Sequence, residues 1–303
     1  MSVGGKERAG DGRGADGPTV AAAVKQATDL IRAAGSTSPR LDSELLLAHV
    51  FDGRREQLYR EPERRLNADQ AVRFKELVAR RMRREPVAYI IGHKPFRTID
   101  VLSDPSSIVP RPDTETLVDV ALDALAQLDD PHPRVLDVGT GTGAVALAIC
   151  TERSGVSVIA TDVSGLALEL ARRNAERLHL GDRVDFLQSD LFDDIPSGVR
   201  FDVIVSNPPY VSQEEHNGLQ PEIRLWEPRD ALVSGPTGLE VYERLIPGSL
   251  PFLGPLGMLA VEIHEGRVDE VSALFRSTGR FTAIQVHEDL GGAPRVVSAR
   301  ERD

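Results

Sequence analysis

Apolar residues recur at helical spacing through the first third of the chain. Val20, Val24, Ala27 and Ile31 share one face, and Gly35 stands where a left-handed C-terminal cap belongs. Leu41 to Phe51 predicts a second, more apolar helix. A third begins after Asn67 and presents Phe74, Leu77, Val78 and Met82 on one side. It is expected to end before Pro86, because the residue preceding a proline disfavours helical backbone. The pattern then changes. Phe96, Ile99, Val101 and Ile108, interspersed with polar residues, predict a β-hairpin linker over 86–110, leaving 18–85 as a helical module.

From Pro110 onward short apolar strands alternate with helices. Strands are expected at 134–138, 157–161, 183–187, 201–205, 257–263, 280–285 and 294–299. Helices are expected at 114–127, 143–152, 164–178, 238–249 and near 267–277. Such alternation predicts right-handed βαβ units, hence an α/β fold with a parallel sheet covered by helices on both faces. A loop with Asp289, Gly291, Gly292 and Pro294 joins the last two strands and leaves no room for a crossover helix. They are expected to form an antiparallel hairpin at one edge. A dinucleotide-binding dehydrogenase, whose six strands all run parallel, ends differently.

Composition narrows the class. At 303 residues the chain suggests two domains, and 41% apolar with 27% charged residues is ordinary for a globular protein. Its apolar runs fall well short of the ~20 residues that span a bilayer. Residues 1–17, rich in Gly and in charges of both signs, lack the apolar core of a signal peptide and read as a disordered tail. Cys150 lies within an apolar helical stretch and, as the single cysteine, has no internal disulfide partner. A buried reduced thiol points to the cytoplasm. The net charge of −11 is uneven: residues 18–110 carry 16 basic and 12 acidic side chains, whereas 111–303 carry a net of −15. So acidic a C-terminal half is a poor match for a phosphate backbone and disfavours a nucleic-acid substrate. The run Arg80, Arg81, Arg83, Arg84 reads equally as a solvated helix end and as a partner-binding face.

Val135 to Gly143 runs from a strand straight into a helix, with Gly139, Gly141 and Gly143 allowing a tight turn and close approach of a ligand. Amides at the following helix start favour an anionic group such as a carboxylate. Asp162, at the end of the second strand, is placed to accept hydrogen bonds from a ribose diol, and Asp190, after the third, to receive an exocyclic amine like that of adenine. A ligand-free turn and an NAD site both remain open on the glycine segment alone. Acidic residues at successive strand tips favour a nucleoside ligand without saying which.

Ser206-Asn207-Pro208-Pro209-Tyr210 follows the fourth strand, whose tip lies beside the first in an open parallel sheet, where ligands sit. The two prolines fix the backbone in an extended turn that holds the Asn207 side chain outward. This suits a poorly nucleophilic amide or aniline-like nitrogen. The Asn207 side-chain oxygen and the Pro208 carbonyl would accept its two N–H bonds, orient it, and favour the positive charge that develops as a methyl sulfonium is attacked in line. The Tyr210 ring would pack on the planar substrate amide.

With these residues in view, the chain resembles the bacterial peptide chain release factor N5-glutamine methyltransferases of the HemK/PrmC type, over roughly residues 18–299. The matching stretches are Glu85–Gly92 with Phe96, Ile108–Glu115, Leu136–Ala144, Ser206–Tyr210, Glu227-Pro228 with Ala231-Leu232, and Gly238-Leu239 with Tyr242. The Asn-Pro-Pro-Tyr signature is shared with adenine-N6 DNA methyltransferases, while the segment around Pro110-Arg111-Pro112 is far more discriminating. The resemblance implies a seven-stranded, Rossmann-like class I methyltransferase domain over 111–303, its last strand antiparallel, preceded by the small helical domain and hairpin linker. It implies S-adenosyl-L-methionine as cofactor and the Gly-Gly-Gln loop of class-1 release factors as substrate, with no direct contact to nucleic acid or membrane and a monomeric state. Gly139, Thr140, Gly141, Thr142, Gly143, Asp162 and Asn207 are then expected to contact the cofactor, and Asn207, Pro208, Pro209 and Tyr210 to hold the glutamine. Asn207, Pro208 and Tyr210 carry the catalytic expectation. Two positions depart from the pattern: Leu191 stands where some relatives place an aromatic over the adenine, and Ser234–Gly238 replaces a more Gly-rich turn with an Asp.

Other residues admit two readings. Arg111, between two prolines, faces the cofactor or substrate, or pairs with a neighbouring acid at the surface. Glu115 answers the dipole of its helix. Trp226 with Glu227-Pro228 walls the pocket or belongs to the core, and His264 reads as structural. The histidines show no metal-site spacing, so no metal is expected. Besides glutamine methylation, adenine methylation of nucleic acid and a non-catalytic module that senses S-adenosylmethionine or NAD remain as functional alternatives. The helical module is expected to recognise the partner protein.

Overall fold

The computed structural model describes residues 17–302; the tail expected over 1–17 lies almost wholly outside them. The chain divides into two compact units, with the boundary between Ile91 and Gly92.

The first unit is helical: α1 (Val20–Ala33), α2 (Pro39–Val50), α3 (Arg55–Arg60), α4 (Ala68–Met82) and α5 (Val87–Ile91). Thr19 caps α1, and Asn67 and Gln70 form a reciprocal capping box at the start of α4. Gly35 takes the left-handed conformation (φ 85°) after α1. Ile31, Leu46, Leu47, Leu66 and Phe74 meet in one core; burying each such side chain contributes roughly 1.5–3 kcal/mol. Two expectations change here. Pro86 ends one helix but opens the next, its carbonyl accepting from the amides of Tyr89 and Ile90, so the hairpin linker begins only at residue 93. The arginine run is not a solvated helix end. Arg81 is buried against Asp42 at 2.7 Å, Arg80 pairs with Glu85, and Arg84 donates to the Ala34 carbonyl.

The second unit opens with the hairpin β1 (His93–Phe96) and β2 (Ile99–Leu102), followed by α6 (Glu115–Ala126). Then come β3 (Arg134–Val138), α7 (Ala144–Glu152), β4 (Ser157–Asp162), α8 (Gly165–Arg177), β5 (Val184–Gln188) and β6 (Phe201–Ser206). A short excursion holds β7 (Val211–Ser212), α9 (Gln213–Gly218), α10 (Pro221–Trp226) and β8 (Val233–Gly235). The chain closes with α11 (Glu240–Ser249), β9 (Leu253–Glu262), α12 (Val268–Ser277), β10 (Phe281–Glu288) and β11 (Pro294–Glu301). The seven-stranded sheet has the order β10-β11-β9-β6-β3-β4-β5, and β11 runs antiparallel to both neighbours.

Strand residues alternate between the two faces of the sheet. Val135, Val203 and Val205 pack with Leu117 and Leu147, whereas Leu136, Val138 and Ile204 pack with Tyr242, Leu245 and Phe275. Because both faces are covered, the strands read as nearly continuous apolar runs. Residues Ala144 to Cys150 of α7 are all buried, and burial pushes the Cys150 thiol up to about 11. β9 starts earlier than its pattern suggests. It begins at Leu253 rather than 257 and continues through a register irregularity, with Leu256 at φ 59°. The chain proceeds from β3 through β4 to β5, then returns to place β6 on the other side of β3. The tips of β3 and β6 therefore form the topological switch point, where a ligand crevice opens.

Candidate active site

β3 delivers the glycine loop to this point. The amides of Gly139 and Thr140 both donate to the Thr161 carbonyl at 2.8 Å, curling the loop over the tip of β4. Gly139, Gly141 and Gly143 have φ of 75°, 57° and 81°, a region costly for residues with a Cβ. At Gly141 a Cβ would stand 2.7 Å from Ser107 Oγ, and at Gly143 3.2 Å from Ala171 and Leu147, so these two are also fixed by close packing. Beside Gly139 only the Asn207 carbonyl comes as near as 4.0 Å, which leaves that flank open to a ligand.

Thr140 and Thr142 are buried and do not line this opening. Thr140 Oγ1 donates to Asp137 Oδ2 at 2.6 Å, and the Thr142 carbonyl accepts from Asn174 Nδ2 at 2.9 Å. Asp137 is wholly enclosed. Burial pushes its carboxyl up to about 7, against the opposing bonds from Thr140 and the Ala146 amide. Sequence reasoning passed over Asp137 because it sits within an apolar strand. Its signal was a carboxylate two residues before the first glycine.

Asp162 accepts the Gly141 amide at Oδ2 (2.9 Å) and the Ser164 amide at Oδ1 (2.8 Å). Burial raises its pKa, while these backbone bonds oppose the rise. Asp190 is half exposed and pairs at 2.9 Å with Arg244 of α11. Leu191, in left-handed backbone at φ 53°, lines the same cleft.

Ser206 Oγ donates to the Val138 carbonyl at 2.7 Å and ties the tip of β6 to β3. Asn207 Nδ2 donates to Thr114 Oγ1 at 3.2 Å, and Asn207 Oδ1 has no partner among the described residues. Tyr210 stands behind the turn with its ring 6.4 Å from the His264 imidazole, and burial pushes its phenol well above the usual range. The Ser234–Gly238 turn, which sequence reasoning left without a role, supports this segment. Gly238 (φ 86°) lies so near that a Cβ would meet the Tyr210 carbonyl at 2.6 Å.

These parts enclose a cleft of about 500 Å³, the size of a nucleoside-based ligand. Gly139, Gly141, Asp162, Asp190, Leu191, Asn207, Pro208 and Pro209 line it; Thr140, Thr142, Gly143, Tyr210 and Arg111 do not. Arg111 instead pairs at 2.5 Å with Glu227, a buried carboxylate rather than the surface acid considered from sequence. Pro228 walls the cleft and Trp226 does not. Ile108 joins the lining, as do Asp230 and Ala231 from a short 3-10 helix over Arg229–Ala231.

Two family models match, the PrmC N-terminal domain over residues 22–92 and the methyltransferase small domain over 114–232. The release factor glutamine methyltransferase of Rhodopirellula baltica is 42% identical over 93% of this chain and 96% of its own length. That of Koribacter versatilis is 39% identical over 92% of this chain and 98% of its own. The chain belongs to the release factor glutamine methyltransferase family. Among solved structures, the hMettl16 catalytic domain in complex with a MAT2A 3'UTR hairpin has a TM-score of 0.56 at 16% identity. It covers 78% of this chain and 83% of that one, and shows the shared fold alone. For a release factor glutamine methyltransferase, S-adenosyl-L-methionine is the cofactor, and the site fits it. An open glycine flank, an Asp162 carboxylate and a deep crevice at the switch point meet in one place. No described helix is long and apolar enough to cross a membrane.

Proposed function

We propose that this chain transfers a methyl group from S-adenosyl-L-methionine to the side-chain amide nitrogen, N5, of the glutamine in the Gly-Gly-Gln loop of class-1 release factors, acting in the cytoplasm. The observation that carries the reading is Asn207, whose Nδ2 is committed to Thr114 and whose Oδ1 is left unpartnered on the wall of the cofactor cleft. The whole-length relationship to release factor glutamine methyltransferases supports the acceptor.

Bound in the cleft, S-adenosyl-L-methionine supplies an electrophilic methyl group on a sulfonium. Asp162 accepts the ribose hydroxyls, and the amides at the glycine loop and the start of α7 favour the amino-acid carboxylate. Asp190 receives the adenine amine while Arg244 steadies its carboxylate, and Leu191 forms an aliphatic wall where an aromatic would stack. On the acceptor side, Asn207 Oδ1 and the Pro208 carbonyl take the two N–H bonds of the glutamine amide. This turns the nitrogen toward the methyl group and favours its growing positive charge. The alkylated nitrogen is strongly acidic and loses its proton to water, so no strong base is required. The net charge of −15 over residues 111–303 disfavours the adenine-methylating alternative.

Incubation with labelled cofactor and unmodified release factor tests the reading. Label is expected on the wild-type factor and absent from a factor whose Gly-Gly-Gln glutamine is replaced by alanine. Equal label on both would refute it.

A further inference from the structure

The α8 helix supports two segments that both reach the cleft. Its Ala171 lies against the glycine loop, where a Cβ on Gly143 would meet it at 3.2 Å. One turn further on, Asn174 is 1% exposed. Its Oδ1 accepts the Leu102 amide at 2.6 Å, and its Nδ2 donates to the Leu102 carbonyl at 3.2 Å and to the Thr142 carbonyl at 2.9 Å. Both amide hydrogens and the side-chain oxygen are thereby committed to backbone, a set that no apolar or hydroxyl side chain reproduces.

Leu102 ends β2, and Thr142 belongs to the glycine loop. After Leu102 the hairpin gives way to residues 103–109, of which Ser106, Ser107 and Ile108 line the cleft. Ser107 Oγ packs so closely on Gly141 that a Cβ there would stand 2.7 Å from it. The two segments thus meet at Ser107 and Gly141 and are tied through Asn174 at Leu102 and Thr142. Two ion pairs run alongside, Arg177 with Asp100 at 3.0 Å and Arg173 with Asp104 at 3.7 Å. Exposed pairs of this kind contribute little. Loss of the Asn174 amide, by contrast, takes a partner from three backbone groups at once.

We propose that Asn174 is a positioning residue for the cofactor: it holds residues 103–109 and the glycine loop in one register, so that the rim they form is set before S-adenosyl-L-methionine arrives. A rim already in its binding geometry spares the cofactor the cost of ordering it. When only a fraction of molecules is so arranged, apparent affinity falls by that fraction. The proposal rests on S-adenosyl-L-methionine occupying the cleft and is independent of the methyl acceptor.

The test uses the full chain with Asn174→Ala, which removes all three bonds, and Asn174→Asp, which keeps an acceptor for the Leu102 amide but sets an oxygen against the two carbonyls. Calorimetry gives Kd for S-adenosyl-L-methionine, and methylation of unmodified release factor gives kcat and the KM for cofactor. Both variants are expected to raise Kd and cofactor KM by roughly 5- to 20-fold. At saturating cofactor kcat should stay within about twofold of the wild type. A role in folding alone would lower the urea midpoint and leave Kd of the folded variants unchanged. That result overturns the proposal, as does a fall in kcat with Kd unchanged. Hydrogen exchange in the wild type needs neither a folded variant nor an acceptor. The Leu102 amide, outside the cleft lining, should exchange roughly threefold or more slowly once cofactor is added, in step with the Gly141 amide. Gly141 slowed and Leu102 unchanged would refute the proposal even if both variants failed to fold. A wild type that binds no cofactor would refute the reading of the cleft itself, and the proposal with it.

Discussion

Arg111 and Glu227, 116 residues apart, meet at 2.5 Å, and the Glu227 side chain is only 1% exposed. The pair joins the segment preceding α6 to the turn after α10, which continues into the cleft wall at Pro228. Burial raises the Glu227 pKa and Arg111 opposes the rise, so the arginine keeps an otherwise costly carboxylate charged. Arg111→Ala leaves that charge enclosed and unpaired. The expected loss is on the order of 2–3 kcal/mol, below that of a wholly buried pair because Arg111 is a third exposed. Urea unfolding at neutral pH measures it, and Glu227→Gln in the same background should recover part of the loss.

Asp162→Ala removes the carboxylate assigned to the ribose and leaves the Gly141 amide without its acceptor. Hydrogen bonds to charged groups contribute about 1.5–3 kcal/mol, so affinity for S-adenosyl-L-methionine should fall roughly 10- to 100-fold. Calorimetric titration checks this. At saturating cofactor the loss in kcat should be much smaller.

Asn207→Ala should show the opposite division. We expect kcat to fall by about 100-fold or more, as for loss of an oriented polar group in a dry site, with cofactor affinity reduced less than about tenfold. Single-turnover methylation beside calorimetry separates the two.

Asp137 gives a pH signature of stability. With its carboxyl pushed up to about 7, the folded chain holds a proton that the unfolded chain releases near pH ~4. The associated stability is present below ~4 and is lost as pH rises through about 7. Asp137→Asn does not titrate, and losing the acceptor for the Ala146 amide adds only a pH-independent offset. Between pH ~4 and ~8, the wild type should lose on the order of 1–3 kcal/mol relative to Asp137→Asn, read from unfolding midpoints across that range. A constant difference would mean that Asp137 is charged throughout.

The sheet was legible because its strands are apolar on both faces and its glycines and acids fall at their tips. Val135–Val138 flowing into Gly139 already implied a strand, a turn and a helix start in sequence. The excursion from Val211 to Gly235 was not legible, since its helices have six residues each, too short for a 3.6-residue period to declare itself. Pro86 misled for a different reason: a proline terminates one helix and suits the first turn of another, and the sequence alone does not distinguish these uses. At the site, the backbone motifs announced Asp162 and Asn207, but side-chain direction did not follow from them. Thr140 lies within the glycine loop and still points inward at Asp137.

The identity of the methyl acceptor is read directly by mass spectrometry. The purified chain with S-adenosyl-L-methionine is incubated separately with unmethylated class-1 release factor and with duplex DNA, and any added methyl group is mapped. One methyl group is expected on the Gly-Gly-Gln glutamine and none on the DNA. Methyl on adenine, or on neither substrate despite tight cofactor binding, would contradict glutamine as the acceptor.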